Sequence, residues 1–165
     1  MSRHSHIIKT NIPLQSSCRE YLTSIDYSDT FAVTEVDTHL MIQEIYHKIF
    51  SDTPLWIKRL MKIRNKLVAM VGLKTNIKHR EEDQSQIVLS DSSVGFFEIY
   101  HIGEEEIVAG EKDKHLDFVV SVLREKDKVT ISTLVQYNNT FGRLYMLAIS
   151  PIHKIIVKRM IRRLI

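Results

Sequence analysis

Cysteine is almost absent: Cys18 stands alone in 165 residues. A lone thiol excludes an intramolecular disulfide and any zinc site built on cysteine, and a reducing cytoplasm is the simplest compartment for it. The five glycines, Gly72, Gly95, Gly103, Gly110 and Gly142, lie too far apart for the phosphate-cradling loops of nucleotide-binding proteins. No apolar run reaches 18 residues, so no transmembrane helix is expected, and the polar stretch 1–10 lacks the apolar core of a secretory signal. Internal repeats and low-complexity tracts are missing too.

What is present is enough apolar side chain, 44% of the residues, for the core of one domain of ordinary size. The net charge of +3 conceals segregation. Residues 1–53 carry −3, residues 54–78 carry +7, residues 79–128 carry −7 and residues 129–165 carry +6. Charge is thus arranged by structural element.

Helical periodicity fills the first half and strand alternation the second, which points to α+β rather than alternating α/β. Residues 1–24 read as an N-terminal arm and residues 25–165 as one domain. A first strand is predicted over 30–36, with Phe31 and Val33 on one face. A helix capped by Asp37 or Thr38 should run to Phe50. Thr53 followed by Pro54 opens a second helix, with Trp56, Leu60, Ile63, Leu67 and Met70 in one stripe. A polar loop over 74–93, with a short strand at 87–89, leads to strands over 95–100, 106–109, 114–123, 129–137 and 142–149. Their short links imply an antiparallel meander. Ser150 and Pro151 repeat the cap-plus-proline signal and predict a last helix of about 14 residues, or roughly 21 Å.

Alternation sorts the strand over 114–123 into His115, Asp117, Val119 and Ser121 on one face and Leu116, Phe118, Val120 and Val122 on the other. His115 with Asp117 is a candidate acid–base or ligand-binding pair, because a carboxylate orients and supports an imidazole. On the strand over 142–149, Arg143 and Tyr145 share a face with Leu147 and Ile149, which suits the mouth of a cavity for a polar head and an apolar tail. Asn138, in the preceding turn, joins the candidate set. On the last helix, His153 begins a stripe continued by Val157, Met160 and Leu164, and could point between helix and sheet. A metal would need a third ligand beside His115 and Asp117, and spacing supplies none; neither metal nor cofactor is expected. The basic helices lack interleaved aromatics, so nucleic acid is not an expected partner. The last helix resembles a membrane-surface helix, but its apolar stripe is needed to cover the sheet, so a membrane surface is not expected either.

These segments resemble the DUF2867 family of bacterial proteins in the START-like (SRPBCC) superfamily. The resemblance is carried by IDYSDTF at 25–31, PLWIKRLMKIRNKLVAMVGLK at 54–74, GFF at 95–97, DKHLDFVVSV at 113–122, VQYNNTFGRLY at 135–145 and PIHKIIVKRMIRRL at 151–164. It implies a helix-grip fold, in which a curved antiparallel sheet holds a hydrophobic ligand against the last helix; the order of predicted elements agrees with that fold. It carries over no catalytic residue. The leading expectation is therefore a non-enzymatic module for a small hydrophobic or amphipathic ligand, with polar contacts from His115, Asp117, Asn138, Arg143, Tyr145 and His153. The alternatives are a cyclase or dehydratase using His–Asp acid–base chemistry in that cavity, and an interaction protein docking an acidic partner or, less expected, a membrane surface through its basic helices.

Overall fold

The computed structural model of the chain describes residues 6–50 and 97–165. The expected helix after Thr53 and the strand at 87–89 lie outside the described residues. Within them run strand β1 (Ile7–Lys9), a 3₁₀ turn (Ser17–Tyr21), β2 (Tyr27–Val33), helix α1 (Ile42–Phe50), β3 (Glu98–Ile102), β4 (Glu106–Lys112), β5 (Leu116–Glu125), β6 (Lys128–Tyr137), helix α2 (Thr140–Ile161) and a terminal 3₁₀ turn (Arg162–Leu164). The strands form one antiparallel sheet in the order β1-β2-β6-β5-β4-β3. The architecture is α+β, as the change in periodicity predicts.

Alternation along the strands divides the core into two layers. On one face Phe31, Ile107, Val120, Val122 and Ile131 pack against Ile45, Tyr46 and Ile49 of α1 and Val157 and Ile161 of α2. The opposite face, with Val108, Val119 and Leu134, is covered by the N-terminal arm through Cys18. Ile12, Tyr21 and Leu22 pack against the same cluster, and the Tyr21 ring stacks on Tyr100 at 5.4 Å.

The arm is held by a buried carboxylate. Glu106 Oε1 accepts from Ser16 Oγ at 2.5 Å and Ser121 Oγ at 2.6 Å; Oε2 accepts from the Ser17 backbone N–H at 3.0 Å and Ser17 Oγ at 2.8 Å. Burial pushes the Glu106 carboxyl up, but these bonds outweigh it and hold the group below the usual glutamate range. Burial likewise raises the Cys18 thiol, whose sulfur lies 3.0 Å from Ser16 Oγ, and it stays protonated near neutral pH.

Two expected boundaries move. Helix α1 starts at Ile42, because the Glu44 carboxylate reaches back to the Met41 N–H at 2.8 Å, the acidic half of a capping box. Asp37 instead closes a local turn by accepting from His39 N–H at 2.9 Å. The larger correction concerns 142–149, expected as a strand. These residues belong to α2, a helix of 22 residues, about 33 Å long, with Pro151 inside it. Asn139 is its cap, its Oδ1 accepting from Gly142 N–H at 3.0 Å. Leu144 to Ala148 are good helix formers. Pro151 removes only the bond to the Leu147 carbonyl, on the exposed side where water can replace it.

A stability test follows from the sign of the Glu106 shift. A carboxyl held below its unfolded value stabilises the fold above pH ~4.3, the unfolded value, and that stabilisation is lost as pH falls through the folded value. Glu106→Gln should lower the melting temperature at pH 7 and flatten its decline towards pH 3. An unchanged acid slope by circular dichroism would show that the carboxylate does not hold the arm.

Candidate site beneath the closing helix

The start of α2 packs on the turn that leads into β5. The His115 carbonyl accepts from Asn138 N–H at 3.0 Å, and Asn138 Nδ2 donates to the Asp113 carbonyl at 2.8 Å and to Asp117 Oδ1 at 2.9 Å. Asp117 Oδ1 also accepts from Asp113 N–H at 3.1 Å. Asn139 Nδ2 donates to the Lys114 carbonyl at 3.0 Å. Gly142 completes the joint: a Cβ there would stand 2.0 Å from the His115 carbonyl oxygen, so only glycine permits the approach. His115 is wholly buried, its ring edge-on to Phe141 at 5.6 Å and Tyr145 at 5.9 Å. Its Nδ1 lies 3.3 Å from Asp113 Oδ2 without the alignment of a hydrogen bond.

Four of the six sequence candidates, His115, Asp117, Asn138 and Tyr145, therefore meet at one corner, but not as an acid–base pair. His115 precedes β5 and escapes its alternation, and the Asp117 carboxylate is occupied by the turn. The pairing of Arg143 with Tyr145 on a strand face is also corrected. On a helix, residues two apart point away from each other; Arg143 is exposed while Tyr145 is half-buried against His115.

The sixth candidate, His153, has a different partner. Its Nδ1 stands 3.0 Å from Asp29 Oδ2, which also accepts from the Tyr27 hydroxyl at 2.6 Å. The Asp29 side chain is 1% exposed and that of His153 25%, so His153 is the solvent-facing member. Burial pushes the Asp29 carboxyl up, but the bond and charge of His153, the Tyr27 hydroxyl and the nearby Lys154 ammonium prevail and hold it below the usual aspartate range. Burial raises the Tyr27 hydroxyl, reinforced by the bond to Asp29 and its negative charge.

Sequence spacing places this cluster in a polar layer across three elements. Asp29 lies between Tyr27 and Phe31 on β2, Thr133 between Ile131 and Val135 on β6, and His153 between Ile149 and Val157 on α2. The flanking residues belong to two separate apolar clusters. Asp29 and Thr133 are directly opposed in the β2–β6 register, hence on the same face. Asp29 Oδ1 and Thr133 Oγ1 are both buried, and neither has a hydrogen-bond partner among the described residues. An unsatisfied buried polar atom costs about 1–3 kcal/mol, and here two belong to residues directly opposed across the β2–β6 ladder. Sequence reasoning missed Asp29 and Thr133. The available signal was the alternation of Tyr27, Asp29, Phe31 and Val33, in which a charge keeps step with apolar residues.

A depression of about 460 Å³ lies elsewhere, among Gln15, Thr38, Glu105, Arg124, Glu125 and Lys126. It contains none of the sequence candidates. Among the described residues no three metal-ligating side chains converge.

Residues 21–160 match the family described as Protein of unknown function (DUF2867). The chain belongs to the DUF2867 family. No curated protein and no solved structure matches it. The DUF2867 match spans β2, the corner at Gly142 and most of α2, so both parts of the polar layer fall within the family region.

Gly142→Ala should destabilise this DUF2867 protein by about 2–3 kcal/mol in urea unfolding, because the methyl group meets a backbone oxygen rather than a side chain that can turn aside. A change below about 0.5 kcal/mol, the usual range for an innocuous surface substitution, would show that the helix shifts freely at this corner.

Proposed function

We propose that the protein is a START-like binding module that holds a small amphipathic ligand between the sheet and α2. The ligand's hydroxyl or amine hydrogens meet Asp29 Oδ1 and Thr133 Oγ1. The observation that carries this reading is a carboxylate oxygen of Asp29 without a hydrogen-bond partner among the described residues, with the Thr133 hydroxyl, likewise without one, at the opposed position of β6 under α2. A donor on the ligand satisfies both acceptors, and its apolar body lies against the clusters on either side. Membership of DUF2867, the antiparallel sheet and the closing helix support a helix-grip assignment.

A second reading has its own observation. The Asp29–His153 contact fixes Nδ1 and leaves Nε2 as the ring's other nitrogen, the arrangement of a carboxylate-oriented general base. An acid–base enzyme would then use His153 with Asp29 rather than His115 with Asp117.

Native mass spectrometry of the freshly purified protein, before and after denaturation, tests the binding reading. A co-purified small molecule should be released on denaturation and be largely missing from folded Asp29→Ala. Equal, ligand-free masses in native and denatured spectra overturn it. Conversion of the released molecule by fresh protein, abolished in His153→Ala, transfers the site to the acid–base reading.

A further inference from the structure

Helix α2 is apolar on two sides. Met146, His153, Val157 and Ile161 face the sheet and α1. On the outward side Leu144, Leu147 and Ile155 are 60, 74 and 63% exposed, with exposed Pro151 between them. At 100° per residue these four fall within an arc of about 80°. Isolated apolar side chains on a surface are ordinary, but a continuous row over three turns of one helix marks a contact surface.

The charge beside this row is of one sign. From Thr140 to the C-terminal Ile165 there are six basic residues and no acidic one. The Lys158 ammonium lies over the Phe31 ring at 5.2 Å, and Arg163 donates to the Ile49 carbonyl at 3.1 Å. Arg143, Arg159 and Arg162 remain exposed, and have no ionic partner among the described residues. Arg159 and Arg162 continue the outward arc beyond Ile155.

We propose that the outward face of α2 docks on an anionic lipid surface. Leu144, Leu147 and Ile155 enter the boundary between headgroups and acyl chains, and the exposed arginines meet the phosphates. Charge selects this occupant over a second copy, which would bring the same unopposed cations to the contact. Reserving α2 for the sheet presupposes a single apolar stripe. With two, the helix docks without leaving the fold. This inference is independent of the ligand under α2, since its residues lie on the opposite side of the helix.

Co-sedimentation of the full chain with vesicles of phosphatidylcholine, alone or mixed with phosphatidylglycerol, tests it. The protein should sediment with the anionic vesicles only, and less at high salt. Leu147→Glu combined with Ile155→Glu should reduce binding roughly tenfold or more at an unchanged melting temperature, because each exchange removes an apolar side chain from the lipid. Failure to sediment with anionic vesicles, or binding unaltered by the double substitution, overturns the proposal. A dimer in light scattering that the same substitution dissociates, without vesicle binding, assigns the face to self-association instead.

Discussion

The rest of the described structure depends on the approach of Gly142 to the His115 carbonyl. A Cβ 2.0 Å from a backbone oxygen is not tolerated, so this one position decides how deeply the start of α2 can sit against the turn before β5. Asn138 and Asn139 add directional bonds to the same turn and leave the helix little freedom to rotate. Rotation matters because the helical repeat carries the phase forward. Counting in steps of four and three from Gly142 leads through Met146 and Ile149 to His153, and then to Val157. The corner thus sets, three turns away, which side chain arrives over Asp29. The same phase turns Leu147 and Ile155 outward.

Each face of the sheet buries one carboxylate, and the two are treated differently. Glu106, under the arm, receives four hydrogen bonds, two on each oxygen. Nothing is left over, and its work is to fasten Ser16 and Ser17. Asp29, under α2, has both its bonds on Oδ2, and Oδ1 has no partner among the described residues. Among the described residues neither carboxylate forms an ion pair with a lysine or arginine; hydrogen bonds hold Glu106 ionised, and Asp29 draws besides on the charges of His153 and the nearby Lys154. A satisfied buried group contributes to fixing one fold. A half-satisfied one destabilises unless something else completes it.

The antiparallel meander was legible because alternation and short turns are local signals. The two sides of β5 were separated correctly as well, although the side beginning at Asp117 proved to be buried by the arm rather than lined up with His115. The start of α2 was not legible from Ser150 and Pro151, which imitate a helix entrance. What distinguishes the real entrance is the Asn139 cap, and its force comes from contact with Lys114 and Gly142 at once. Glu106 follows Glu104 and Glu105 with nothing local to distinguish it, because its serine partners at 16 and 17 are 90 and 89 residues away in the chain. Asp29 was hidden by placing the first strand over 30–36, three residues later than the observed Tyr27–Val33. Of the candidate side chains, His153 lies where its helical spacing placed it, on the inward stripe of α2. The pairs drawn from neighbouring positions failed, since the partners that matter come from other elements.

A helix that is apolar all round is ordinarily enclosed on every side. α2 is enclosed on one, and Pro151 lies near the middle of its length, where the hydrogen-bond ladder lacks the bond to the Leu147 carbonyl. Leu147 and Pro151 both lie on the exposed row, so the gap in the ladder and the exposed apolar side chains share one side of the helix. A neighbour that covers Leu147 and Ile155 would also shield that carbonyl and would act on the segment leading to His153, two residues beyond the proline. A single helix, fixed at Gly142 and interrupted at Pro151, carries both the outer face and the side chain that meets Asp29.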